Sequence, residues 1–454
     1  MFQDCFRVPF ATVKCLDVRS FFDERVRFKV KFPVMHDRTV FDNGLRIITS
    51  TMPNTRSVCL AILVGAGSCY ENLEEAGISH FAEHLLFKGT QRRPTSKEIS
   101  QDIEGVGGII NGSTDKELTI FWCKVAKEHF PVALDVFSDL LLNSRFDSKD
   151  IEQERRIIIE EINMNLDLPQ QRVNMLIDEL LWPEQPLGRE VAGTKETVAS
   201  ITRGQMLDYV TRRYVPNDMV VSIAGNLGCD EVAAQIAPLF DKLAPGKVLN
   251  GYMSADKQAA ARLRIEPREC EQAHLCLATH GFSHFHPKRF ALDLLNVVLG
   301  GGMSSRLFME IRERKGLAYD IHSYTDHFLE SGSFVIYAGV NPEKLETAVS
   351  AIVEELYKLR QRVTPEELTR AKELCKGRLQ LRLEDTQNVA LWLGSQEVLL
   401  QHILSVDEVI SIIDAITIEE LEEVAEEIIT DDGLNLAIVG PVKHEENLLR
   451  ILKI

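Results

Sequence analysis

The sequence has no Cys-x-x-Cys pair, although it contains nine cysteines. An odd number without paired spacing argues against both a disulfide frame and a cysteine metal knuckle. Several lie in apolar runs such as Val58-Cys59-Leu60-Ala61-Ile62, where reduced, buried thiols belong. No apolar run approaches the ~20 residues that span a bilayer, so no membrane partner is expected. The N-terminus also lacks the apolar core of a signal peptide. The expected compartment is a bacterial-type cytoplasm, with an organellar matrix as the other reducing choice. Basic excess is missing too: 51 Lys and Arg stand against 68 Asp and Glu, a formal charge of −17. That balance argues against nucleic acid, whose binding needs a basic surface. It serves solubility first and a cationic substrate segment second.

What is present is a long chain of ordinary globular composition. At 454 residues it exceeds one core, so two or more domains are expected. Residues 1–38 show no clear period and stay open between a docking arm, a disordered extension and a stretch upstream of the true start at Met35. Asp4, Asp17, Asp23 and Glu24 speak against an Arg-rich transit peptide there. From Thr39 the pattern clears. Residues 39–48 read as two strands around Asn43-Gly44, and 58–65 as an apolar strand. Thr95-Ser-Lys-Glu98 offers a capping box for a helix to about Val106. A strand at 118–125 follows, then long helices at roughly 128–143 and 148–165, and a strand at 219–224.

Beyond an Ala- and Gly-containing linker at 244–262 the chain repeats itself. Val363-Thr-Pro-Glu-Glu-Leu answers Phe146-Asp-Ser-Lys-Asp-Ile, and Leu434-Asn-Leu-Ala-Ile-Val-Gly answers Met219-Val-Val-Ser-Ile-Ala-Gly. Strand 273–279 answers 58–64, and 332–339 answers 118–125. The offset stays a little over two hundred residues, which predicts a tandem duplication of one α+β unit, 39–243 and 263–454.

His80-Phe-Ala-Glu-His84 stands out within the first unit. Apolar Ile78, Phe81, Ala82, Leu85 and Leu86 interleave with it at helical spacing. Two histidines at i and i+4 share a helix face, with Glu83 beside them. That is the H-x-x-E-H pattern: two imidazoles for zinc and a carboxylate for proton handling. The bland alternative is a polar helix face that carries two histidines. The duplication weighs against it, because the same positions in the second unit fall near Leu294, Val297 and Val298. Packing alone is satisfied there by aliphatics.

A third ligand is sought in the helix starting near Asp150. Glu154 and Glu161 share a face with Ile157 and Ile158, which predicts that this face points inward, whereas Glu160 turns toward solvent. A carboxylate on an inward face is costly unless paired or coordinated. Glu161 is therefore the expected ligand, and Glu154 the carboxylate that orients a histidine. The alternative is a surface ion-pair network with Arg155 and Arg156.

These motifs give the chain a resemblance to the M16 (pitrilysin/insulinase-like) metallopeptidases over about residues 38–450. It is similar to bacterial processing-peptidase-like proteins and to the β subunit of mitochondrial processing peptidase. The resemblance rests on His80–His84 with Phe87-Lys-Gly-Thr90, on Glu154 and Glu161, on Pro186-Leu-Gly-Arg189 with Gly193-Thr194, on Gly300-Gly-Gly-Met-Ser-Ser-Arg-Leu-Phe308 and on Ile311-Arg-Glu-Arg-Lys-Gly-Leu-Ala-Tyr319. It implies a half-clamshell of two homologous domains, mostly antiparallel sheets with helices packed on one face. It implies one Zn2+ per chain on His80, His84 and Glu161, with Glu83 as general base. Asn111, placed before the next strand, would bind substrate backbone, with Gly112 where the family usually has Ala. Arg312 and Tyr319 would stabilise the oxyanion, coming from a second subunit. Taken alone, those two are a solvated helix residue and a strand residue.

The resulting expectation is a zinc endopeptidase that encloses short or unfolded peptides, precursor or presequence-type segments among them. It would act as a homodimer, or as a heterodimer with an M16 paralogue. A non-catalytic M16-type scaffold or partner subunit is the alternative, and a metal-binding or redox module the third reading.

Overall fold

The computed structural model describes residues 36–241, 243–248, 251, 252, 254, 258–442 and 445–452. The three readings of the N-terminal stretch concern residues 1–35, outside the described part, except that 36–38 belong to the first strand. Strands are β1 (His36–Val40), β2 (Arg46–Thr51), β3 (Ser57–Val64), β4 (Ile109–Thr114), β5 (Thr119–Ala126) and β6 (Met219–Gly225) in the first half. The second half has β7 (Arg262–Pro267), β8 (Ala273–His280), β9 (Ala318–His327), β10 (Gly332–Val340) and β11 (Asn435–Gly440). They form two sheets, ordered β1-β2-β6-β3-β5-β4 and β7-β11-β8-β10-β9. In each sheet one neighbouring pair is parallel, β2 with β6 and β7 with β11.

The duplication extends to strand register. Cys59 faces Lys124 and Ala224, and His274 faces Gly339 and Val439; each counterpart lies 215 residues on. The strand expected after Asn43-Gly44 forms, with Gly44 at φ 86°, where a side chain would be strained. Strand β4 is an addition to the sequence reading, which left 107–114 as an approach to the next strand and set Asn111 before it. Its residues, Ile-Ile-Asn-Gly-Ser-Thr, interrupt strand formers with Asn and Gly, which strands disfavour. It forms because β5 supplies a hydrogen-bonded partner along its length.

Both central strands are apolar on both faces, and this decides the architecture. On β3, Val58, Leu60, Ile62 and Val64 enter the core under the first half's own helices. Cys59, Ala61 and Leu63 point the other way, and that face is covered by Val389, Ala390 and Leu393 of helix Thr386–Leu400. The second sheet is treated alike. Leu275 and Leu277 meet its own helices, while Cys276, Ala278, Val335 and Val439 meet Val173, Leu176 and Ile177 of helix Pro169–Leu181. Each half thus keeps its own helices on one face of its sheet and covers the other face with one helix from its twin.

Close approach makes the exchange specific. Ser222 Oγ donates to the Ala390 carbonyl at 2.7 Å. Glu397, 1% exposed, pairs with Arg38 at 3.0 Å and Arg46 at 3.6 Å. On the reciprocal side Trp182 donates to Ser331 at 3.0 Å and packs edge-on against Phe328. No helix among the described residues is long and apolar enough to cross a membrane.

A Cβ at Gly394 would lie 2.4 Å from Leu63 Cδ1 and 3.0 Å from Ser222 Cβ. Alanine would gain about 1 kcal/mol in helix propensity, but overpacking a filled interface costs about 1–3 kcal/mol. Gly394→Ala is therefore expected to be destabilising, by about 1 kcal/mol net, in urea unfolding of the whole chain.

Candidate metal centre

The histidine helix, Ile78–Leu86, begins at Gly77 in the left-handed region, φ 92°. A Cβ there would lie 2.4 Å from the Ala192 carbonyl oxygen. Two otherwise free N–H groups at this end, Gly77 and Ser79, donate to the Glu71 carboxylate at 2.8 Å each. This buried acid fixes the start of the helix and completes its orphan donors. Burial lifts the Glu71 pKa to about 7 against the pull of those hydrogen bonds. Ile78, Phe81, Ala82, Leu85 and Leu86 enter the core, which leaves His80, Glu83 and His84 on one side.

His80 Nε2 and His84 Nε2 lie 3.2 Å apart. Glu161 Oε2 faces both, at 3.9 and 3.7 Å. Ligand atoms in a tetrahedral zinc site with bonds near 2.0–2.1 Å sit ~3.3 Å apart. The two imidazoles already meet that spacing, and the carboxylate needs a shift of about half an ångström. The other nitrogen of His84, Nδ1, lies 3.2 Å from Glu154 Oε2. An ionised carboxylate can only accept, so Nδ1 carries the proton and Nε2 offers its lone pair. Glu154 is 1% exposed and is also paired with Lys88 Nζ at 2.7 Å. Burial pushes its pKa up, yet the His84 and Lys88 hydrogen bonds outweigh that and hold it below the usual value.

The two histidines differ. Burial, then the neighbouring His84, pushes His80 down to about 4. For His84 burial acts downward too, but the Glu154 hydrogen bond and the surrounding carboxylates raise it overall. His80 Nδ1 is buried without a hydrogen-bond partner, so the polar contacts of this ring are all on Nε2. His80, Glu83 and His84 form the one group of metal-competent side chains found among the described residues. The donor set, two imidazole nitrogens converging beside a carboxylate, fits a divalent cation of the zinc type.

Glu83 is 9% exposed. Burial raises its pKa above the ordinary carboxylate value, against opposing pulls from His84 and Thr114. Thr114 Oγ1 donates to Glu83 Oε2 at 3.2 Å. Gly112, two residues earlier on the same side of β4, leaves the space that Oε1 occupies: a Cβ there would lie 2.7 Å from it and 2.8 Å from Phe87 Cε2. Alternation on a strand thus gives β4 two roles. Gly112 and Thr114 seat Glu83, while Ile109, Asn111 and Ser113 are exposed. β4 is also the free edge of its sheet.

The helix Ser148–Asp167 corrects one expectation. Ile157 does not point inward but is 39% exposed. The buried stripe runs through Ile151, Glu154, Ile158 and Ile162, one step round from the expected face. Glu161 borders that stripe, and Glu160 is exposed. The network with Arg155 does not form: Arg155 turns to Glu152 at 3.1 Å and to the carbonyls of Val198 and Ile201.

Arg312 and Tyr319 come together in the second half, but apart from the histidines. The Arg312 guanidinium stacks between Phe308 and Tyr319, 4.7 and 5.2 Å from their ring centres. It sits on a π-helical turn, Phe308–Arg314, and Tyr319 is 76% exposed. Sequence reasoning missed Glu71, Lys88 and Thr114. Thr114 carried a signal, since it shares a strand face with Gly112.

Comparison with known proteins places this geometry. Residues 46–195 match the model described as insulinase (peptidase family M16), and 200–375 match the one described as peptidase M16 inactive domain. An uncharacterised zinc protease of Bacillus subtilis is 36% identical over 408 residues, covering 90% of this chain and 98% of that one. The chain belongs to peptidase family M16. A second M16-type relative, an uncharacterised zinc protease of Streptomyces coelicolor, is 35% identical over 90% of each chain. Among solved structures, a protease from Helicobacter pylori superposes with TM-score 0.85 at 23% identity, over 90% of this chain and 100% of that one. A Pseudomonas fluorescens protein titled peptidase M16 inactive domain gives 0.83 at 18%, over 90% and 99%. Both share the M16 fold, two α+β domains in tandem. The histidine cluster lies in the first matched M16 segment, and Arg312 and Tyr319 in the second.

Gly112→Ala tests the seat of Glu83. The added methyl is expected to move the Glu83 carboxylate and the Phe87 ring and lengthen the Thr114 hydrogen bond, visible in a crystal structure; an unmoved carboxylate would show that Gly112 does not set its seat.

Proposed function

We propose that the chain is a zinc-dependent endopeptidase acting on short or unfolded peptides. One observation carries this reading: the imidazole pair 3.2 Å apart, with Glu161 facing both nitrogens and Glu83 within reach of the same point. His80, His84 and Glu161 would hold Zn2+, one ion per chain, with Glu154 orienting His84. Zinc so held supplies Lewis acidity toward a water and toward the scissile carbonyl.

The chain's own residues account for the rest. The free β4 edge can accept an extended peptide as an added strand, with Asn111 exposed on it to contact the peptide. Only a segment without fixed secondary structure can pair this way, which favours short, unfolded or precursor-type substrates. Glu83 takes a proton from the attacking water and passes it to the leaving amine. Its raised pKa suits a base that must later act as an acid.

Arg312 and Tyr319 serve the developing oxyanion from another subunit. Within the chain this pair contacts its own segment, and Tyr319 is open to an incoming partner. A homodimer with two enclosed sites is the simplest assembly, with pairing to an M16 paralogue as the other form. The working compartment is the cytoplasm of a bacterial-type cell, in keeping with bacterial relatives.

The test is zinc content together with digestion of a mixed peptide library. Glu83→Gln should keep its zinc and lose at least ~100-fold in cleavage, while Glu161→Gln should lose zinc and Glu160→Gln should not. Full cleavage by Glu83→Gln would remove the general-base role. For the shared site, Glu83→Gln and Arg312→Ala should each be inactive and regain part of the activity when refolded together. Mixed dimers that stay inactive would count against it.

A further inference from the structure

The second half keeps the scaffold of the first-half cluster with its polar residues replaced by aliphatics and one arginine. Helices Ser148–Asp167 and Pro365–Arg382 start 217 residues apart, as do Pro169–Leu181 and Thr386–Leu400. That offset carries Glu154 onto Ala371 and Glu161 onto Arg378. On the twin of the histidine helix, Arg289–Leu299, the facing residues are Leu294, Leu295 and Val298.

Beside this altered site lies a cavity of about 680 Å3, lined by Leu294 and Arg378 among others. That volume lies within the range of small-molecule pockets, about 300–1,000 Å3. Its walls are Leu379, Leu391, Trp392 and Leu399, and its polar edge carries Arg289, Arg378 and Arg382. In a chain of net charge −17, three guanidiniums here face one carboxylate, Asp293. That carboxylate is already held by Thr325 at 2.7 Å and His327 at 3.2 Å. Arg378 and Arg382 have no ion pair with any carboxylate among the described residues. His284, also at the edge, is held neutral by burial and by its neighbours His327 and Arg289, with its pKa lowered to about 4.

The walls are helix surfaces, and helical backbone is hydrogen-bonded internally. The free edge strand β9 contributes only His327 to the lining, so the apolar helix walls favour an aliphatic occupant. The guanidinium fork matches a carboxylate head. We propose that this cavity binds an aliphatic carboxylate of the fatty-acid class, its head on Arg378 and Arg382 and its chain along Leu379, Leu391, Trp392 and Leu399. The site is independent of the peptidase reading.

Laurate titrated into the full chain, followed by tryptophan emission and calorimetry, tests this. Saturable binding is expected, with at least ~10-fold loss in Arg378→Glu and in dodecanol, which keeps the chain and lacks the charge. Arg370→Glu, exposed on the same helix like Arg378 and Arg382 but outside the cavity lining, should bind as the wild type does. The proposal falls if laurate shows no saturable binding, if folded Arg378→Glu binds it undiminished, or if dodecanol binds equally well. It falls in favour of a peptide occupant if apolar peptide acids bind and laurate does not.

Discussion

Two sheets that are apolar on both faces cannot be buried by the helices of one half. A strand such as β3, apolar on both sides from Val58 to Val64, needs cover above and below. The halves solve this reciprocally, each extending one helix beneath the other's sheet. The candidate site inherits its geometry from that exchange. Helix Pro169–Leu181 follows helix Ser148–Asp167 after Leu168 alone. Clamping it beneath the second sheet therefore fixes the end of the helix that carries Glu154 and Glu161. Placement of Glu154 and Glu161 thus depends on contacts made in the other half. Pre-organisation of this kind is what a site held to within about half an ångström needs.

Electrostatics then decides which groups can stay on the histidine helix. A carboxylate as buried as Glu154 would be expelled or protonated if left alone. Lys88 at 2.7 Å and His84 at 3.2 Å keep it charged, and the charge in turn sets the His84 tautomer. The same accounting explains Glu83, whose carboxylate is tolerated because β4 leaves space at Gly112 and a donor at Thr114. The free edge of the sheet and the seat of Glu83 are therefore parts of one strand, β4.

Periodicity made the histidine helix, the long helices and the duplication legible, because each rests on local spacing. Helix phase separated Glu161 from Glu160 for the same reason, although it put Ile157 on the wrong side; the buried stripe includes Ile158 and leaves Ile157 outside. Strand β4 was not legible, since its stability comes from pairing with β5 rather than from its own residues. Nor was the exchange of helices. The continuous apolar runs of β3 and β8 say that both faces are buried, but not which helix covers the second. Glu71 escaped as well, because a carboxylate capping a helix from outside leaves no fixed spacing to find.

The twin helix shows what packing requires and what it leaves free. Leu294, Leu295 and Val298 fill the second core with no compensating partners. His80, Glu83 and His84 need Glu154, Lys88, Thr114 and a glycine to be accommodated. Both solutions satisfy the same backbone, with strand registers matched residue for residue at one offset. The fold therefore does not demand the polar cluster, and each buried polar group that lacks a stability role points to chemistry. His80 Nδ1, buried with nothing to bond, is the clearest instance. An unmet hydrogen bond on a buried ring adds nothing to stability, so packing does not account for an imidazole at this position.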